Sequence, residues 1–307
     1  MDEGTERTAG ATGQGARAGG TDSATEAFVA HRNLLFTVAY EMLGSAADAE
    51  DALQETWLRW ADIDHATVRD PRAFLVRITT RQALTRLRTL RRRKESYVGP
   101  WLPEPLLTAP DVAEDVELAE SVSMAMLLVL ETLAPTERAV FVLREVFDLG
   151  YDEIAQAVGR SAAAVRQIAH RARVHVAARR PRETVTPAEA RSALAAFRLA
   201  VETGDMRRLL DMIAPDVVLL TDGGGVVRAA LEPVVGAAAV AAVLTGLRSA
   251  TFQPAQVNGH PALLLRTGGG IDTVLAVRLE GGLITGLYAV RNPEKLSRVD
   301  RETAVGR

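Results

Sequence analysis

Apolar residues recur at helical spacing from Glu26 to Lys94: Phe28, Leu35, Val38 and Met42, then Leu53, Trp57 and Trp60, then Phe74, Leu75 and Ile78. The same periodicity returns from about Val122 to Arg180. Between the two runs, Gly99, Pro100, Pro103, Pro105 and Pro110 break the pattern. Each proline fixes φ and removes an amide donor, so residues 96–121 are expected to form an extended linker. After Arg182 the texture changes. Thr186-Pro187-Ala188-Glu189 is a helix start, with Thr as cap and Pro in the first turn. Short apolar runs then follow at 217–220, 226–230, 263–266, 273–278 and 283–290, separated by Gly-rich turns. That is the signature of an antiparallel sheet. Residues 1–25 have no large apolar side chain after Met1 and are expected to be a disordered tail. The pattern thus predicts a tail (1–25), an all-α module (26–95), a Pro-rich linker (96–121), a second all-α module (122–182) and an α+β domain (186–300).

Charge adds chemistry to this outline. The 36 basic and 39 acidic residues leave a net charge of −3, which excludes a uniformly basic nucleic-acid coat protein but not local patches. Asp48, Asp51 and Glu55 lie at i, i+3, i+7 on one helix face, with Leu53, Trp57 and Trp60 on another. Taken alone, this is a solvated acidic face. From Arg69 to Lys94 the sign inverts. Arg69, Arg72, Arg77, Arg81, Arg86, Arg88, Arg91, Arg92, Arg93 and Lys94 stand against the single acid Asp70 and are interleaved with apolar residues. A basic helix inside a packed domain points to phosphate contact.

The third charged block is more specific. A short helix over 151–158 reaches Gly159, which can take a turn that a side chain resists, and Ser161 caps a second helix. On that helix Val165, Ile168, Ala169, Ala172 and Val176 form the buried stripe. Arg166, His170 and Arg173 project together on the other side, flanked by Gln167 and Arg171. This is helix-turn-helix geometry, in which Arg reads guanine and Gln reads adenine in the major groove.

The chain has no cysteine, which excludes disulfides, thiolate zinc sites, iron–sulfur clusters and thiol catalysis. The start lacks the features of a signal peptide, and the most apolar stretch, 234–247, is too short to span a bilayer. A cytoplasmic protein without membrane partner, metal or cofactor is expected.

An acidic-faced helix, a basic helix, a linker and a helix-turn-helix, in that order, resemble a minimal sigma factor. The segment 48–57, DAEDALQETW, resembles the core-polymerase-binding helix of extracytoplasmic-function sigma factors. Residues 74–83, FLVRITTRQA, look like their −10 recognition region, and 133–173 is similar to their −35-binding domain. The resemblance implies core RNA polymerase and promoter DNA as partners. It assigns Asp48, Asp51, Leu53, Glu55 and Trp57 to polymerase binding, and Arg77, Arg81, Gln82, Thr85 and Arg88 to the −10 element. Ser161, Arg166, Gln167, His170, Arg171 and Arg173 fall to the −35 element. Three further segments, WLPEPL (101–106), DGGG (222–225) and NPEKL (292–296), resemble the signatures of sigma factors with a fused SnoaL-like domain, a cone of the NTF2-like class that tunes activity in cis. The resemblance makes Trp101, Pro103, Glu104, Pro105, Asp222, Gly223, Gly224, Gly225, Asn292, Pro293 and Lys295 regulatory contacts. Val226 stands where that group usually carries Lys.

NTF2-like cones include enzymes, whose general base here would come from Asp216, Asp222, His260, Asp272 or Tyr288. No spacing fixes a pair among these, so the chain is not expected to be an enzyme, and a small ligand in the C-terminal domain remains a candidate partner. The competing reading is a helix-turn-helix regulator that binds operators without polymerase and carries a ligand-binding or enzymatic cone. Such a regulator has no need for the paired acidic and basic helices of the first module.

Overall fold

Small polar side chains set the limits of the first helices. The computed structural model describes residues 15–109, 116–179 and 185–306. Helix α1 (Gly15–Leu43) ends at Gly44 with φ +67°. The Ser45 hydroxyl accepts the Asp48 amide at 3.2 Å to open α2 (Ala46–Ala61), and Asp70 accepts the Ala73 amide at 3.0 Å to open α3 (Pro71–Glu95). The three pack around Leu35, Phe36, Val38, Trp60, Leu75 and Leu87, all buried. Helix α1 begins well before the expected end of the disordered tail, so residues 15–25 are helical. The reason is tertiary: Ala24 is buried and its carbonyl accepts the Trp60 indole N–H at 2.8 Å. Residues 1–14 lie outside the described residues.

The linker is extended over 96–109 but not solvated, because Leu102, Pro103, Glu104, Pro105 and Leu106 are buried. It gives way to α4 (Val116–Val122), earlier than its expected end at 121. Helices α5 (Met124–Glu131), α6 (Pro135–Phe141), α7 (Tyr151–Val158) and α8 (Ala162–Ala177) complete the second module. Its expected end, 180–182, and linker residues 110–115 lie outside the described residues.

The last domain starts with α9 (Pro187–Thr203), opened by a reciprocal Thr186–Glu189 capping box, and α10 (Met206–Met212). Strands β1 (Ile213–Asp222) and β2 (Val234–Val235), helix α11 (Ala237–Leu244), strands β3 (Thr251–Val257), β4 (His260–Thr267), β5 (Gly270–Glu280) and β6 (Leu283–Val290), and α12 (Pro293–Leu296) follow. The sheet order is β2-β1-β6-β5-β4-β3. It is mixed rather than purely antiparallel, since β1 lies parallel to β6. The expected strand at 226–230 is a turn: the amides of Val226 and Val227 both donate to the Gly223 carbonyl instead of entering a ladder. The sequence pattern also missed β3, whose Pro254 is tolerated because the strand is at the sheet edge.

Both faces of the sheet are covered. Phe197 of α9 and Val240 and Leu244 of α11 pack on Val217, Leu219, Leu263, Leu275 and Leu287. On the opposite face, Leu264, Val274, Ala276 and Tyr288 pack with Leu102 of the linker and Met124 of α5. The α+β domain is therefore joined to both the linker and the second module through an apolar contact. Among the described residues, no helix is long and apolar enough to cross a membrane.

Candidate polymerase, promoter and docking surfaces

Packing of α2 on α3 brings the two charged faces of the first module together. One guanidinium, Arg86 of α3, lies 3.6 Å from Asp48, 3.2 Å from Asp51 and 2.8 Å from Glu55. Asp51 and Glu55 remain about half exposed at 58% and 45%, and Trp57 is half-buried with its ring 5.2 Å from that of Phe28. Leu53 corrects its assignment: it is buried among the helices of its own module and offers nothing to a partner. The exposed apolar residue of α2 is Leu58, one turn beyond Glu55.

Along α3, Arg81, Thr85 and Arg88 are exposed, and Arg77 lies 4.6 Å over the Phe74 ring. Gln82 is a second correction, because it is buried and not presented at the surface of α3. Arg81 is not free either. Its Nη2 donates to the Gln156 carbonyl at 2.8 Å, and Gln156 belongs to α7 of the helix-turn-helix. The −10-type helix and the first helix of the −35-type unit thus touch.

In that unit Gly159 has φ +67° and leaves open space around it, and the Ser161 hydroxyl accepts the Ala164 amide at 3.2 Å. Val165, Ala169, Ala172 and Val176 are buried, while Arg166, Gln167, His170, Arg171 and Arg173 are exposed. Two of the arginines carry internal counter-ions: Arg173 with Glu145 at 2.8 Å and Arg171 with Glu137 at 3.6 Å. Arg166 leans 5.4 Å over the Tyr151 ring.

The three segments at 101–106, 222–225 and 292–296 meet in one buried knot. Asp222, at 0% exposure, ends β1. Its Oδ2 accepts Lys295 Nζ at 2.6 Å and the Leu102 amide at 2.9 Å. Its Oδ1 accepts the Tyr97 hydroxyl at 2.6 Å and the Gly224 amide at 3.1 Å. Asn292 Nδ2 in turn donates to the Tyr97 oxygen at 2.8 Å. A side chain at Gly224 would collide with Asn292, with a Cβ only 2.3 Å from Nδ2, and φ there is +63°. Glycine is required at that point. Gly225 lies against Val98, Pro293 is exposed, and Val226 is exposed beyond the turn.

Trp101 links the knot to both helical modules. Lys295 Nζ lies 4.0 Å from its ring centroid and Lys94 of α3 lies 3.3 Å away. Lys94 pairs with Glu131 of α5, which also accepts Arg138 Nη1 of α6 at 2.6 Å. Burial, with the Arg138 and Lys295 charges added to it, lowers the Lys94 ammonium to about 8 against the pull of Glu131. Further along the linker, Glu104 accepts the Ala47 amide at 3.2 Å at the start of α2. Pro103 and Pro105 are buried on either side of it.

Sequence reasoning missed a second tie. Asn258, at the β3–β4 turn with φ +55°, exchanges bonds with Leu106, donating through its amide at 2.8 Å and accepting at Oδ1 at 3.1 Å. Its Nδ2 donates to the Tyr40 oxygen at 2.7 Å and the Val122 carbonyl at 2.9 Å. The Asn258-Gly259 pair signals a tight hairpin, but nothing local in it announces a partner 218 residues away.

The general-base candidates are scattered or engaged. Asp272 is paired with Arg291 at 3.0 Å, His260 Nδ1 sits 3.1 Å from the Asn258 carbonyl, Tyr288 is buried and Asp216 is exposed. Burial lowers the His260 imidazole and raises the Tyr288 hydroxyl. Beside α9 and α11 a void of about 10 Å³ has room for no more than a water molecule.

A helix-turn-helix and a basic helix on separate modules, beside an acidic helix and under an α+β domain, define a transcription initiation factor of the sigma type. Residues 27–93 match the Sigma-70 region 2 family and 123–176 the Sigma-70, region 4 family. The chain is 34% identical over 288 residues to ECF RNA polymerase sigma factor SigJ of Mycobacterium tuberculosis, covering 88% of this chain and 92% of that one. It is also 34% identical over 292 residues to probable ECF RNA polymerase sigma factor SigI of the same species, covering 93% and 99%. The crystal structure of M. tuberculosis SigJ superposes with a TM-score of 0.72 at 31% identity, over 89% of this chain and 98% of that one. The chain belongs to the extracytoplasmic-function RNA polymerase sigma factors, which bind core polymerase and direct promoter-specific initiation. The reading as an operator-binding regulator is not favoured.

Proposed function

We propose that this sigma factor rests in a closed arrangement held by its C-terminal domain, and that opening it is the regulated step of initiation. Two observations meet in this reading. In the closed chain α3 and α7 touch through Arg81 and Gln156. The −10 and −35 elements, by contrast, are roughly 25 base pairs apart, on the order of 80 Å at 3.4 Å per step. One molecule cannot read both elements while the two helices are in contact. The observation that carries the regulatory part is the Asp222 knot, which joins the C-terminal domain to the linker between the DNA-reading modules.

Within this reading Asp48, Asp51, Glu55 and Trp57 dock on core polymerase, with Leu53 supporting α2 from inside. Arg77, Arg81, Thr85 and Arg88 face the −10 element, with Gln82 as packing beneath them. Arg166, Gln167 and His170 face −35 bases, Arg171 and Arg173 face phosphates, and Ser161 caps the helix that presents them. The C-terminal domain works by docking rather than turnover, because the carboxylate oxygens of Asp222 are committed to four donors. A cleft of about 340 Å³ lined by Leu107, Pro254, Gln256, Leu264 and Val299 has room for a small ligand, which would there touch the linker and the cone together. The work of such a factor, on polymerase and promoter, is cytoplasmic.

The test is promoter-specific transcription at equal holoenzyme concentration by three chains: full length, ending at Arg291, and ending at Arg182. The first truncation removes Asn292 and Lys295 from the knot, and the second removes the whole domain. The three are expected to transcribe to different extents while all bind core polymerase. Equal transcription by all three removes the cis-regulatory role.

A further inference from the structure

The position of Arg86 bears on how the acidic face is presented. It sits inside the basic run of α3, yet it points at α2 and away from the exposed row Arg81, Thr85 and Arg88. Its side chain is 24% exposed and meets carboxylates from three successive turns of α2: Asp48 at 3.6 Å, Asp51 at 3.2 Å and Glu55 at 2.8 Å. Three like charges on one helix face repel one another and splay their side chains. We infer that Arg86 is a positioning residue for polymerase docking, gathering these three carboxylates into one preorganised acidic surface for a basic patch on core polymerase.

The inference rests on the reading that the acids of α2 dock on polymerase. Arg86 engages one oxygen each of Asp51 and Glu55, which are 58% and 45% exposed, so the other oxygens are available to a second cation. Three carboxylates and one guanidinium leave two negative charges, enough to attract a basic partner. The planar fork of arginine suits this task, since its two terminal nitrogens reach different carboxylates at once and a lysine ammonium presents a single point. Ordering the acidic side chains before the encounter removes a cost that binding would otherwise carry.

The experiment measures the affinity of the full-length protein for core polymerase across a salt series, for wild type, Arg86→Gln, Arg86→Lys and Glu55→Gln, and for Arg86→Gln combined with Glu55→Gln. Arg86→Gln is expected to weaken binding about 5- to 10-fold, and Arg86→Lys to recover part of the loss. In the Glu55→Gln background the same substitution should cost less, a dependence that a general loss of fold would not produce. Unchanged or tighter binding by Arg86→Gln overturns the inference, because Arg86 would then be idle or a counter-ion that polymerase must displace. The combined reversal Asp51→Arg and Glu55→Arg separates the two levels. If the reversal leaves binding intact, the docking reading fails; if it abolishes binding while Arg86→Gln changes nothing, only the role of Arg86 fails.

Discussion

Asn258 shows how much of this molecule depends on single polar side chains. A buried amide that leaves its partners unpaired costs far more than one hydrogen bond. This one holds the linker at Leu106, the first module at Tyr40 and the second module at Val122. Glycine keeps the positive φ of +55° while deleting the amide, so Asn258→Gly isolates the side-chain bonds. It is expected to destabilise the chain by about 2–3 kcal/mol, because three buried partners lose their bonds. Equilibrium denaturation checks this, and a change within about 0.5 kcal/mol would mean that the tie contributes little. Residue-level assignments were legible where the chemistry is local. Arg166, Gln167 and His170 are exposed on their helix as the spacing predicts. Leu53 and Gln82 were not legible, because their burial depends on which helices pack against them. Arg86, Tyr97 and Asn258 escaped for the same reason, since each acts across long sequence separations.

At the scale of elements, the helix-turn-helix was the most readable part of the chain. Gly159, Ser161 and the apolar stripe of α8 all act within a few residues of one another. The two arginines that flank its outer face should separate in their effects. Arg166→Ala is expected to relax preference at one −35 position, costing about 1–3 kcal/mol at the cognate base. Arg171→Ala should weaken all sequences alike and flatten the salt dependence by about one unit. Holoenzyme binding to single-base −35 variants across salt concentrations distinguishes the two, and indifference to both substitutions removes α8 from promoter reading. The sheet was harder to read. Apolar runs marked β1, β4, β5 and β6, but β3 carries Gln253, Pro254 and Gln256 and has no apolar run to mark it. Neither did any local signal distinguish the parallel β1–β6 pairing, which depends on the chain crossing to the far edge of the sheet before returning.

On the scale of the whole molecule, one arrangement dominates: two DNA-reading modules in contact, with a linker and an α+β domain fastened over them. The apolar contact of Leu102 and Met124 with the sheet and the Asp222 knot act in parallel, and an intramolecular partner is always present at high effective concentration. The closed form should therefore dominate in the free chain and be lost when polymerase and promoter bind the separated modules. Because the chain has no cysteine, two dyes can be placed without background, at Thr89→Cys on α3 and Asp152→Cys on α7, both exposed and each within about two helical turns of the Arg81–Gln156 contact. The decisive measurement is energy transfer between these dyes in the free protein and in the complex with core polymerase and promoter DNA. High transfer in the free chain, falling in the promoter complex as the modules move to elements roughly 80 Å apart on the duplex, is the predicted result. Low transfer in the free chain, or high transfer that persists in the promoter complex, would contradict it.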